Sequence, residues 1–139
     1  MNVLVIDAQG GGIGRQLIAA IKQEVSGAVI TAVGTNSAAT SAMLKAGADH
    51  AATGENAVIV GSKRADVIAG PIGIVIADSL LGEITPKMAV AIGQSGAKRI
   101  LIPIYHCDNI VVGVSDTSVA TLVQDAVSEI KALAKTARP

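Results

Sequence analysis

Apolar residues recur along this chain with two periods, and the first appears at once. Val3-Leu4-Val5-Ile6 is an unbroken apolar run closed by Asp7, which predicts a short strand buried on both faces. Beyond a glycine-rich stretch, Ile13, Leu17, Ile18, Ile21 and Val25 return at helical spacing, with Arg15, Lys22, Gln23 and Glu24 between them. That pattern predicts an amphipathic helix, which Gly27 punctuates. Val29-Ile30-Thr31-Ala32-Val33 is a second strand. Gly34-Thr35-Asn36-Ser37 then turns the chain, and Asn36 or Ser37 can cap a helix that carries Met43 and Leu44 and ends at Gly47. Residues 2–46 therefore read as strand, helix, strand, helix, the opening of a parallel sheet.

The pattern continues less regularly. His50-Ala51-Ala52 reads as a short third strand. In residues 54–63, an early Glu55 and a late Lys63 suit a helix dipole. Val58-Ile59-Val60 is β-branched and would suit a strand, but a helix is the reading adopted here. Val67-Ile68-Ala69 is a strand stopped by Gly70-Pro71. Residues 72–77 are either a buried helix start or a further strand, and periodicity does not separate the two. Pro86 fits the first turn of a helix running to about Gln94. Residues 100–104 form a strand in which Pro103 suits an edge or an end, and residues 110–114 a last strand paired antiparallel with it. Val119, Leu122, Val123, Ala126, Val127, Ile130 and Leu133 make the stripe of a final helix, capped by Asp116, Thr117 or Ser118. The expected fold is α/β, a Rossmann-like three-layer sandwich. Its sheet is mostly parallel with an antiparallel C-terminal edge strand, in one domain over residues 1–139.

Composition narrows the ligands. One Tyr, with no Phe or Trp, leaves no aromatic platform for stacking bases or a flavin ring. Eleven basic against eleven acidic residues make no broad field that would draw nucleic acid or acidic lipid. No apolar run approaches the roughly 18 residues of a membrane helix. The lone Cys107 forms no internal disulfide, and the opening Met-Asn-Val-Leu-Val-Ile-Asp has no basic or cleavable leader. Both suit the cytoplasm. Half the chain is hydrophobic and mean hydropathy is +0.56, which favours buried contacts in a homo-oligomer.

The chemistry concentrates after the first strand, at Gly10, Gly11, Gly12, Ile13 and Gly14. A strand, glycine loop and helix in succession leave backbone N–H groups free at a positive helix end, and glycines let a phosphate approach them. The dinucleotide fingerprint G-x-G-x-x-G, begun at Gly10, would need a third glycine where Arg15 stands. Ala8-x-x-x-Gly12-Ile13-Gly14 looks more like the G-x-x-x-G-I-G loop of short-chain dehydrogenases, with alanine in the first glycine place. Arg15-Gln16 replaces the Lys-Ser/Thr of a nucleoside triphosphatase loop. The glycines otherwise serve a tight turn alone.

Around the loop, Arg15 either meets a phosphate or is a plain exposed arginine. No acidic residue ends the second strand, where a dinucleotide fold binds ribose. Thr35, Asn36 and Ser37 there favour NADP slightly over NAD, or simply cap a helix. Asp7 either orients a ribose or a metal-bound water, or is bonded to loop amides. Asp78-Ser79 reaches the same edge only if residues 72–77 are a strand. Gly70-Pro71-Ile72-Gly73 reads as a rigid turn. Tyr105-His106-Cys107-Asp108-Asn109 gathers reactive side chains, and a Cys beside a His can support nucleophilic catalysis. Tyr105 is not the tyrosine of a Tyr-x-x-x-Lys pair, because Asn109 follows at the lysine place. His50, His106 and Cys107 are too few for a metal site, and none is expected.

Three strings carry a resemblance: Val3 to Gln16 (Val-Leu-Val-Ile-Asp-Ala-Gln-Gly-Gly-Gly-Ile-Gly-Arg-Gln), Ala32 to His50, and Gly70 to Pro86. On these the chain resembles a family of small bacterial proteins known only as a domain of unknown function. The resemblance implies a stand-alone domain, and it brings no assigned activity or catalytic residues to carry over. The leading expectation is a nucleotide- or dinucleotide-binding protein, a sensor or accessory subunit whose ligand is NADP, NAD or another nucleotide. Its candidate binding residues are Asp7, Gly10, Gly11, Gly12, Ile13, Gly14, Arg15, Thr35, Asn36 and Ser37. The alternatives are a small NADP-dependent or phospho-metabolite enzyme using Asp7, Asp78, His106 and Cys107, and an oligomeric interaction module without a small ligand.

Overall fold

A computed structural model describes residues 1–104, 108–115 and 117–137. Five strands form one sheet in the order β3-β2-β1-β4-β5. They are β1 (Asn2–Asp7), β2 (Val29–Gly34), β3 (His50–Thr53), β4 (Val67–Pro71) and β5 (Lys98–Ile102). Every pairing is parallel, with Val5 of β1 opposite both Ala32 of β2 and Ala69 of β4. This is the Rossmann strand order without a sixth strand among the described residues.

Two helical layers cover the sheet. Helices α1 (Gly12–Glu24), α2 (Ser37–Lys45) and α5 (Val119–Thr136) pack on one face, and α3 (Glu55–Arg64) and α4 (Pro86–Gln94) on the other. The apolar run of β1 splits between the layers because successive side chains of a strand point to opposite faces. Val3 and Val5 join Leu17, Ile18 and Ile21 of α1, while Leu4 and Ile6 join Val58 of α3 and Ile92 of α4. The stripe read on the last helix is its buried face, centred on Val123, Val127 and Ile130. Ser118 is the residue that caps it, accepting from Thr121 N–H at 3.2 Å. Residues 55–64 are helical as expected, with Glu55 in the first turn and Lys63 and Arg64 in the last.

The structure departs from expectation in three places. The antiparallel edge strand is absent: residues 110–114 have no strand conformation. β5 begins at Lys98 and ends at Ile102, before Pro103, and proline has no N–H for a ladder. The outer edge of β5 therefore stays unpaired over Lys98–Ile102 among the described residues. Next, β4 is not stopped by Gly70 but runs through it to Pro71. A Cβ on Gly70 would collide with the Ile6 carbonyl oxygen of β1, so glycine is what lets the two strands sit side by side. Last, residues 72–77 settle as neither alternative. Ile72–Val75 is a short 3-10 turn, followed by a strap from Ile76 to Thr85. In that strap Asp78, Leu80 and Leu81 have positive φ. The strap is anchored by Leu80 and Ile84, both buried, by Ser79 Oγ–H donating to the Gly73 carbonyl, and by Asp78 N–H to Ile84 O at 2.8 Å.

Candidate functional site

The chain leaves β1 toward β2 on one side, and β4 lies on the other side. Connections diverge between β1 and β4, and ligands of open parallel sheets bind in the crevice outside such a point. A recess of about 300 Å³ lies there, lined among others by Asp7, Gln9, Gly10, Gly12, Gln16 and Leu80.

The glycines of the loop divide into two kinds. Gly11 has φ +73°, and a Cβ on it would lie 2.9 Å from the Ala39 carbonyl oxygen of α2. A Cβ on Gly14 would lie 2.5 Å from Met43 Sδ and 3.0 Å from Asp7 Cβ. Both are buried, and both let α1 approach its neighbours. Gly10 and Gly12 differ. They are exposed, their φ is not left-handed, and a Cβ on either would find no atom within 4 Å. Neither of their N–H groups finds an acceptor among the described residues.

Asp7 turns inward. It is buried, and its carboxylate accepts from Ala8 N–H at 2.8 Å and Gly14 N–H at 2.6 Å. The start of α1 is thus capped by a carboxylate of its own chain. Burial pushes the Asp7 pKa above the ordinary carboxylate range; the loop N–H groups oppose that shift, and the charge of Glu83 adds to it.

At the end of β2, Asn36 caps α2, its Oδ1 accepting from Ala39 N–H at 2.9 Å. Its amide also donates to the Gln9 carbonyl at 2.9 Å and to Glu83 Oε1 at 2.7 Å. The Thr35 hydroxyl donates to the same oxygen at 2.8 Å. Gln9 N–H is shared between both Glu83 oxygens at 3.1 Å each. Burial alone would raise the Glu83 pKa, but bonds from Thr35, Asn36 and Gln9 outweigh it and hold the carboxyl below its ordinary value.

Glu83 is therefore the residue that sequence reading missed. The strap after β4 carries it to the end of β2, where the sequence shows no acid. Its only trace in sequence is indirect: Thr35 and Asn36 are donors with no local acceptor. Ser37 is exposed at the first position of α2. Arg15 lines a groove between α1 and α2 with Lys45, apart from the recess. Asp78 is exposed on the strap. His50 stands exposed on edge strand β3, lining a different cavity with Arg64. Tyr105, His106 and Cys107 lie outside the described residues, so the Cys-His pairing read from sequence does too. Among the described residues no three His, Cys, Asp or Glu side chains gather as a metal site. No helix among them is long and apolar enough to cross a membrane.

Residues 2–135 match the family described as a domain of unknown function (DUF3842), and the chain belongs to that family. No curated protein matches it. In chain trace it is similar to a dodecameric FMN-dependent UbiX-like decarboxylase from Escherichia coli O157:H7. That likeness has a TM-score of 0.49 and 18% identity, covering 94% of this chain and 76% of that one.

Proposed function

We propose that the protein binds a nucleotide in the crevice between the ends of β1 and β4, with a phosphate against the backbone of Gly10 and Gly12. The observation that carries this reading is the division among the glycines. Gly11 and Gly14 are explained by close contacts within the chain, whereas Gly10 and Gly12 are not. They border a recess, they carry N–H donors with no acceptor among the described residues, and the absence of a side chain lets a ligand reach those donors. Gly14 N–H is engaged by Asp7, so the phosphate site is shifted toward the front of the loop relative to a helix-end cradle. A sensor or an accessory subunit is the role proposed.

The test is thermal unfolding against NAD, NADP, ADP, ATP, S-adenosylmethionine, coenzyme A and phosphate. A ligand present at 100 times its dissociation constant adds about 2.7 kcal/mol to the folded state. That raises the midpoint of a chain this size by about 10 °C. A rise with a nucleotide that disappears in Gly12→Val supports the reading, and no rise with any of them overturns it.

A second reading, self-association, rests on a separate observation. Leu81 is 94% exposed, Ile110 91% and Val112 93%. Their segments follow β4 and β5, which are neighbours in the sheet. Large apolar side chains this open suit an interface between copies of the chain. Light scattering on wild type and Leu81→Asp tests it; a monomeric wild type rejects it.

A further inference from the structure

We infer that Glu83 decides which nucleotide the crevice accepts: its carboxylate receives the hydroxyls of an unmodified ribose and rejects a ribose bearing a 2′-phosphate. This rests on the nucleotide reading above and goes beyond it by naming the ligand class.

The geometry supports both halves. An ionised carboxylate offers about four lone-pair sites. Oε1 of Glu83 accepts from Thr35 Oγ1 at 2.8 Å, Asn36 Nδ2 at 2.7 Å and Gln9 N–H at 3.1 Å. Among the described residues Oε2 shares only that Gln9 N–H. Oε2 therefore keeps capacity for a ligand hydroxyl, and Gln9 joins it to the recess that Gly10 and Gly12 border. The same bonds spend the groups that a 2′-phosphate would need. The Thr35 hydroxyl and the Asn36 amide both point at Glu83, and a phosphate arriving there would meet a carboxylate instead of donors. Like charges brought together without a counterion disfavour the wrong ligand strongly. Three donors hold Glu83 in place from two other segments, so the carboxylate is preorganised. A nucleotide fold normally takes this acid from the end of its second strand; here Thr35 and Asn36 stand at that end, and the strap supplies the acid.

The experiment is calorimetric titration of wild type and Glu83→Gln with three ligands: AMP, 2′-deoxy-AMP and adenosine 2′,5′-bisphosphate. Wild type is expected to bind AMP at least about tenfold more tightly than either of the other two, the size of one well-formed polar discrimination. In Glu83→Gln the preference over the bisphosphate should fall to within about threefold, because the amide keeps the shape and loses the charge. Glu83→Asp retains the charge, so it should still reject the bisphosphate while binding AMP more weakly. Unfolding midpoints of both variants report whether the fold survives, and the wild-type preferences decide the matter without any variant. Equal affinity of wild type for AMP and the bisphosphate, or a preference that survives Glu83→Gln, overturns this inference and leaves the nucleotide reading standing. Failure of all three ligands to bind wild type overturns this inference as well, and the seven-ligand unfolding panel then decides the nucleotide reading by itself.

Discussion

Alanine placed at four glycines in and around the turns that follow β1 and β2 should separate packing from ligand approach. At Gly34 the new Cβ would lie 2.5 Å from Thr40 N and 2.8 Å from Asn36 O. Both are backbone atoms in the first turn of α2, and Asn36 is pinned by its bonds to Ala39, Gln9 and Glu83. That turn cannot give way, so overpacking should cost about 3 kcal/mol, a midpoint drop of about 10 °C for a chain of this size. At Gly14 the nearest atom is Met43 Sδ at 2.5 Å, the mobile end of a flexible side chain. Methionine can repack, and alanine gains about 0.5–1 kcal/mol over glycine within a helix. The net loss at Gly14 should be about 1 kcal/mol. At Gly10 and Gly12 nothing lies within 4 Å of the new methyl, so stability should change by no more than about 0.5 kcal/mol. Urea unfolding followed by circular dichroism measures all four. A loss at Gly12→Ala as large as at Gly34→Ala would refute the reasoning, because it would show Gly12 serving the fold itself.

Other outcomes follow from the polar contacts. Burial keeps a proton on Asp7 more firmly in the folded chain than in the unfolded one. Its contribution to stability therefore falls as pH rises from about 4 through its raised value. Relative to Asp7→Asn, the wild type should lose stability from pH 4 to 8 in denaturant titrations, and a difference that grows with pH contradicts this. Glu83 acts with the opposite sign: its lowered pKa adds stability that is lost as pH falls through the ordinary range. Glu83→Gln should accordingly flatten the acid side of the stability profile. Asn36→Ala removes a cap and the bonds to Gln9 and Glu83, and should cost about 2 kcal/mol, more than Thr85→Ala, which removes the cap of α4 and one bond to Glu55. Lys22→Met breaks the exposed pair with Asp49 and should change unfolding by less than about 1 kcal/mol.

Most of the architecture was legible because its signals are local. A continuous apolar run before a glycine loop, then a helical stripe, requires no knowledge of distant residues, and β1, α1, β2 and α2 follow it closely. The segments that misled depend on neighbours far away in sequence. Residues 110–114 have a strand's composition, but composition does not bring a partner edge within reach, and they join no ladder. Gly70 looks like a stop in sequence; in the sheet it is the one residue small enough to lie against the Ile6 carbonyl. The site divides in the same way. The loop glycines and Asn36 as a cap were readable, and Asp7 was read with bonding to loop amides among its two alternatives. Glu83 was invisible, because forty-seven residues separate it from Asn36 and only the strap brings them together. The 2′-phosphate read from Thr35 and Asn36 assumed that their donors were free.

The most direct test of the central claim is the response of the loop amides themselves. In a ¹⁵N-labelled sample titrated with AMP, the resonances of Gly10 and Gly12 should shift progressively and saturate, while Gly27 and Gly47, remote from the crevice, stay where they are. Saturating shifts at those two amides would establish them as the donors that hold the phosphate. If Gly10 and Gly12 remain unmoved at millimolar nucleotide, the open space beside them serves no nucleotide and the proposed function is wrong.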